Sequence, residues 1–337
     1  MRIAFDAKRY FHNHRGLGNY SRDVVRLVRQ YAPDWEVLLV DKSGLKRSFM
    51  HVPECDIYHG LSGELPFTIS HSSARSVVTM HDAIFTRYPE LYSPTYRWIF
   101  TQKVKFACKA ADTIIAISEQ TKRDMIEFFR ADESKIRVVY QGCSNIFRQP
   151  ISDQQIETVK TKYSLPKQYL LDVGAIEPRK NLKNLIRAMA AAKIDVPLVA
   201  IGGHSRYADE AAKLAQQMGV TLLLRHDVPF ADFPAIYKGA DVLCYPSLFE
   251  GFGIPILEAM CVGTPVLTST GSCFAETGGD AALYANPLDI EDIGEQLSNV
   301  LTDTSLRQDR IKKGYLQAAH FTDEQVAHNL IALYKTL

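Results

Sequence analysis

Short apolar runs rich in β-branched residues alternate with longer amphipathic stretches from one end of the chain to the other, the rhythm of parallel βαβ units. In the first half the expected strands are Ile3–Phe5, Glu36–Val40, Asp56–His59, Val77–Met80, Thr113–Ile117 and Arg137–Tyr140. Between them lie segments of helical period such as Asn19–Tyr31, where Val24, Leu27, Val28 and Tyr31 recur on one face. The second half repeats the scheme with Tyr169–Val173, Pro197–Ile201, Thr221–Leu224, Asp241–Tyr245, Pro265–Thr268 and Ala281–Tyr284. The pattern therefore predicts two doubly wound parallel sheets. The stretch between them has two prolines, many polar residues and no strand pattern. The expected division is a first domain over 1–148, a linker over 149–166 and a second domain over 167–320. A final helix over 321–337, capped by Thr322, carries no sign of where it docks.

A length of 337 residues suits two domains, and 46% hydrophobic residues suit two independent cores. The net charge of +1 argues against a nucleic-acid partner, but the charge is uneven. Residues 1–150 hold 22 basic and 16 acidic side chains, the remainder 17 and 22. The first half therefore suits an anionic surface. Met1-Arg-Ile-Ala-Phe-Asp6 puts an acid where a signal peptide needs an apolar stretch, and no run is long enough to span a bilayer, so the chain reads as cytoplasmic. The six cysteines form no CxxC pair and read as scattered reduced thiols.

Ligands of open parallel sheets bind outside the carboxyl ends of the strands, and the unusual residues of this chain fall in those loops. In Pro246-Ser-Leu-Phe-Glu-Gly-Phe-Gly-Ile-Pro-Ile-Leu-Glu258, Gly253 permits a special backbone turn and Pro255 suits the first turn of a helix. The free amides at that helix start suit a phosphate, with Glu250 before the start and Glu258 about one turn inside. Arg179 and Lys180 precede a helix capped by Asn181 and suit a diphosphate, although an isolated Arg-Lys is more often a solvated surface pair. Gly16-Leu-Gly18 lacks the third glycine of a dinucleotide fingerprint, because position 21 is Ser, which argues against a nicotinamide enzyme. His81 ends a buried-looking strand. His12 and His14 read as surface residues, and no Asp-x-Asp offers a clamp for a divalent ion. Tyr96–Lys109 mixes Trp98 and Phe100 with Arg97, Lys103, Lys105 and Lys109, a segment for a membrane surface or for a helix packed on its own sheet.

These residues resemble the GT-B glycosyltransferases, and within them the large retaining group called family four. The resemblance rests on Glu250-x7-Glu258 within Glu-Gly-Phe-Gly-Ile-Pro-Ile-Leu-Glu-Ala-Met, followed by Gly263-Thr-Pro-Val266, Glu276 and Ala281-Ala-Leu-Tyr-Ala-Asn-Pro287. Val173-Gly-Ala-Ile-Glu-Pro-Arg-Lys-Asn181 looks like the family's phosphate segment, and Arg15-Gly-Leu-Gly-Asn-Tyr20 like its first glycine loop. The likeness implies an α/β GT-B architecture, two Rossmann-like domains facing across a cleft. It implies that Arg179 and Lys180 hold the donor diphosphate, that Glu258 bonds the ribose, and that Glu250 with the amides near Gly253 and Ile254 holds the transferred sugar. His81 would line that sugar, and Gly16 with Gly18 would let the first loop approach the phosphates. Ala175 stands where many relatives have Arg, which throws more of the phosphate binding onto Arg179 and Lys180.

The implied activity is transfer of a hexose from a nucleotide-diphosphate sugar, GDP-mannose or a UDP-sugar, to a glycan or lipid-linked acceptor. It would proceed with retention and with neither cofactor nor metal, on a cytoplasmic chain peripheral at the inner membrane face. His81-Asp-Ala-Ile-Phe-Thr-Arg-Tyr-Pro-Glu90 looks most like mannosyl-type transferases. The alternatives are a sugar-nucleotide epimerase or hydrolase on the same scaffold, or a catalytically silent nucleotide-sugar-binding partner.

Overall fold

The computed structural model of the chain describes residues 1–13, 16–42 and 44–337, so His14 and Arg15 lie outside the described residues. The chain divides into a first unit, Met1–Gly142 with Phe321–Leu337, and a second, Cys143–His320. Each unit holds one six-stranded sheet, and the strands of both pair in parallel. All twelve strands expected from the sequence are present.

The first sheet contains β1 (Arg2–Asp6), β2 (Glu36–Val40), β3 (Ile57–Gly60), β4 (Arg75–Met80), β5 (Thr113–Ala116) and β6 (Ile136–Val138), in the order β2-β1-β3-β4-β5-β6. One face packs Ala4, Tyr58, Val78 and Ile114 against Val104, Ala107, Met125 and Phe129 of the helices Pro94–Ala110 and Glu119–Phe129. The helix Gly16–Tyr31 buries Val24, Val25, Leu27 and Val28. Its Leu27 joins Val326, Ala327 and Ile331 of the terminal helix Asp323–Lys335 in a separate apolar cluster.

That terminal helix is capped by Thr322, as the sequence predicts. Arg26 pairs with Asp323 at 2.7 Å. A buried polar chain then runs Tyr20–Thr79–His59–Tyr334, at 3.0, 2.8 and 2.6 Å. Burial pushes the His59 ring down to about 3, so it stays neutral and carries one donor and one acceptor.

The second sheet contains β7 (Leu170–Val173), β8 (Leu198–Ile201), β9 (Leu222–Arg225), β10 (Val242–Tyr245), β11 (Val266–Ser269) and β12 (Leu283–Ala285), in the order β12-β11-β10-β7-β8-β9. Continuously apolar strands such as β8 are buried along their whole length, as covered parallel strands must be.

The segment expected to be a linker is different. Residues Asp153–Tyr163 form a helix, opened by a capping box in which Ser152 and Gln155 exchange hydrogen bonds. The helix is tied to the second unit through Lys162 and Tyr163, both bonded to Asp232. Only Val159 is buried, so the helix reads as polar loop in sequence. The division between the units falls earlier, at Gly142/Cys143.

Candidate functional site

In the second sheet β7 and β10 are neighbours whose following connections run to opposite sides, so a crevice opens at their carboxyl ends. After β7 the backbone turns at Gly174 (φ +135°), a conformation that residues with side chains rarely adopt, and enters a short 3₁₀ turn, Pro178–Lys180. Asn181 follows in the left-handed region (φ +66°) and makes no cap for the helix Leu182–Ala191, contrary to the sequence expectation. Its amide instead donates to the carbonyls of Pro246 and Pro287, tying the loop after β7 to the loops after β10 and β12. A short side chain with two N–H donors can bridge two carbonyls in this way, which removes it from capping.

The tie brings Arg179, Lys180 and Glu250 together. Arg179 Nη1 and Lys180 Nζ lie 2.7 and 2.6 Å from the same Glu250 Oε1. Arg179 also pairs with Glu177 at 2.6 Å and donates to the Phe249 carbonyl, while Lys180 donates to the Tyr245 hydroxyl. Burial pushes the Glu250 carboxyl up, but Lys180 and Arg179 outweigh it and hold the group below its ordinary value. The Glu250 backbone is pinned by Ser272, which accepts from its N–H and donates to its carbonyl.

Beneath the cluster sits Asp172 of β7, only 4% exposed, a residue that sequence reasoning passed over. Burial raises its carboxyl to about 7 against the lowering field of Lys180. The signal was available, because an acid inside Leu170-Leu-Asp-Val173 has no place in a fully buried strand unless it serves something.

The helix Ile254–Val262 starts at Gly253, which has φ +94° and gives no side-chain cap, and Pro255, which has no N–H to leave unpaired, occupies its first turn. Glu258 is 8% exposed and accepts a 2.6 Å hydrogen bond from Tyr237. Burial raises its carboxyl to about 7, with Tyr237 opposing. Tyr237, also missed in the sequence, meets Phe147 edge-on at 5.5 Å.

His81, Gly16 and Gly18 belong to the first unit. His81 Nε2 lies 2.9 Å from the Leu61 carbonyl, which can only accept, so Nε2 carries the proton and Nδ1 is the acceptor of the neutral ring. Burial lowers its pKa to about 4. Tyr20 lies edge-on to it at 4.6 Å. Gly18 is needed for packing, since a Cβ there would fall 1.7 Å from the Asn13 carbonyl oxygen, whereas Gly16 faces open space at its helix start.

His12 forms an exposed 3.1 Å pair with Asp41. The sequence also gave no hint of a buried cluster in which Arg47 bonds both Asp6 and Glu64, with Lys103 at 3.2 Å from Glu64. Among the described residues no group of three or more His, Cys, Asp or Glu side chains is placed to hold a metal ion. No helix among them is long and apolar enough to cross a membrane.

Residues 153–317 match a family model described as glycosyl transferases group 1, and residues 6–144 match one described as glycosyltransferase family 4. O-antigen chain mannosyltransferase B of Escherichia coli is 32% identical over 290 residues, which cover 83% of this chain and 74% of that protein. The serotype-specific mannosyltransferase WbdA of Escherichia coli is 29% identical over 265 residues, 75% of this chain but 32% of that longer protein. Among solved structures, HepE of Anabaena, in complex with UDP and glucose, superposes with a TM-score of 0.79 over all of both chains at 16% identity.

Proposed function

The chain belongs to the group 1 glycosyl transferases with a GT-B fold, and from that premise we propose that it moves a hexose, mannose in the favoured reading, from a nucleotide-diphosphate sugar to a glycan or lipid-linked acceptor, with retention and without a metal. The observation that carries the reading is one carboxylate, Glu250, between two cations at the crevice of the second sheet, beside an uncapped helix start. Breaking a sugar–phosphate bond builds negative charge on the departing diphosphate and positive charge on the anomeric carbon. Arg179 and Lys180, with the amides at Gly253 and Ile254, are fixed donors for the first charge, and Glu250 is an anion for the second.

The incoming diphosphate takes over Arg179 and Lys180 from Glu250, which then accepts hydrogen bonds from the sugar. Glu258 receives the ribose. Neutral His81 offers Nδ1 to a sugar hydroxyl, and Gly16 leaves room for the first loop to approach the phosphates. Gly18 serves that loop indirectly, by letting its helix start pack closely. Glu250 is then engaged by the sugar hydroxyls and no other side chain at the site is an evident nucleophile, which favours front-face transfer in which the leaving phosphate takes the acceptor's proton.

Mannose and a polysaccharide acceptor are supported by the names of the two Escherichia coli relatives. A membrane-borne acceptor is supported by the helix Pro94–Ala110. There Trp98, 66% exposed, shares a stripe of spacing four and three with exposed Gln102, Lys105 and Lys109. We accordingly propose a cytoplasmic protein that binds an anionic inner membrane face.

The deciding experiment incubates the protein with GDP-mannose and with UDP-hexoses. Slow nucleotide release that accelerates with a lipid-linked glycan, giving a product of unchanged anomeric configuration by NMR, is the expected result. Acceptor-independent isomerisation or hydrolysis would replace the reading with an epimerase or hydrolase. Tight nucleotide binding without turnover would leave a silent binding module.

A further inference from the structure

Cys143 is the first residue of the second unit, and Cys261 is the penultimate residue of the helix Ile254–Val262 in the same unit. They are 118 positions apart in sequence, yet their sulfurs lie 3.1 Å apart. That is roughly 1 Å more than a covalent S–S bond. Both are free thiols, Cys143 buried and Cys261 partly exposed. The pair has the two parts that thiol–disulfide exchange needs, a partly exposed cysteine and a buried one whose sulfur is held against it. The Cys143 thiol, hydrogen-bonded to Cys261, holds Cys261 below its ordinary pKa, and the Arg148 guanidinium adds to the effect.

We propose that Cys143 and Cys261 form a reversible dithiol–disulfide site, closed by a small-molecule disulfide of the glutathione type. The Cys261 thiolate attacks one sulfur of oxidised glutathione, whose S–S bond breaks and releases one glutathione thiolate. Cys143 then loses its proton to solvent and attacks the Cys261 sulfur of the mixed disulfide, expelling the second glutathione. The protein gives up two protons and two electrons, and the oxidant leaves as two reduced thiols. Closure draws the entry to the second unit onto the helix turn beside Glu258, which stands three residues before Cys261 on the same face. Because Glu258 is assigned to the donor ribose, the second half of the proposal rests on the function proposed above: the closed site binds donor nucleotide more weakly.

The test equilibrates the whole protein with glutathione mixtures, traps free thiols by alkylation, and maps peptides by mass spectrometry. Expected are a loss of two hydrogen masses, one cross-linked 143–261 peptide, and full reversal by dithiothreitol. The Cys143→Ser and Cys261→Ser variants should not form the bridge, and mapping the wild type alone decides the matter if either fails to fold. A stable glutathione adduct on Cys261, or a bridge to another cysteine, overturns the site. Affinity for the nucleotide that the reduced protein binds, GDP or UDP, should fall roughly fivefold or more on closure of the wild type and stay unchanged in Cys143→Ser. Closure with unchanged affinity overturns the link to Glu258. Failure of both nucleotides to bind the reduced protein overturns the donor reading, while the peptide map still judges the thiol pair.

Discussion

At the carboxyl ends of β1 and β3 the first sheet holds one guanidinium, Arg47, between the carboxylates of Asp6 and Glu64; at the carboxyl ends of β7 and β10 the second holds one carboxylate, Glu250, between Arg179 and Lys180. Both clusters occupy the place where the strand order reverses. The topology is shared and the sense of charge is opposite. In the first, a cation sits between acids, and burial leaves Asp6 raised despite Arg47 beside it. Removing the cation strands Asp6 and leaves Glu64 with Lys103 alone. In the second, each cation has a further partner, Glu177 and the Phe249 carbonyl for Arg179 and the Tyr245 hydroxyl for Lys180. Its carboxylate can therefore be displaced by another anion without leaving either cation alone. A doubly wound sheet fixes where a ligand can lie, and the residues after its strands decide which charge is welcome there.

The largest expected effect tests the first cluster as a structural one. Arg47→Met should lower stability by about 3–5 kcal/mol, because Asp6 stays buried without its cation and Glu64 keeps only Lys103. Urea unfolding measures it, and a loss under about 1 kcal/mol would make the cluster a solvated one.

Asp172 sharpens the contrast from beneath the second cluster. Its folded pKa, about 7, lies above the ordinary 3.8, so the stability it contributes is present below about pH 4 and is lost as pH rises through 7. Asp172→Asn should match the wild type near pH 4 and exceed it at pH 8 by about 3–4 kcal/mol. Parallel denaturation curves at both pH values would show it, and a constant offset would refute it.

Lys180→Met should reduce kcat/KM about 10²–10³-fold while unfolding nearly as the wild type does, the reverse of Arg47→Met. Equal losses of activity and stability would erase the proposed difference between the clusters. Within the second site, Glu250→Gln should chiefly lower kcat, because Glu250 meets the changing sugar. Glu258→Gln should chiefly raise donor KM by about ten- to hundredfold, since the ribose does not change in the reaction. Identical kinetic signatures would return both acids to a structural role. The smallest effect expected is none: turnover should persist in EDTA, and activity lost to the chelator and restored by Mg²⁺ or Mn²⁺ would mean that fixed cations are not enough.

Much of this was legible beforehand. The strands show as β-branched runs because parallel strands are buried on both faces, and the glycine–proline frame around Gly253 shows because special backbone conformations admit few residues. Polar helices hide, as Asp153–Tyr163 did: with one buried residue it has no apolar face, and its Ser152-x-x-Gln155 box was the only local sign. Residues that act by burial hide as well. Asp172, Tyr237 and Arg47 are ordinary letters until their surroundings are known.

The sequence by itself determined the two parallel sheets, the positions of their strands and the loops that carry Arg179, Lys180, Glu250 and Glu258, since hydrophobic period and backbone constraint are local properties. Only the tertiary structure decided that the terminal helix belongs to the first unit through Tyr334 and Asp323, that Asn181 ties its loop to two others instead of capping a helix, and that Cys143 meets Cys261. Those outcomes depend on which surfaces meet after the sheets form, and charge and hydrogen-bond pairing across long separations leaves no periodic trace along the chain.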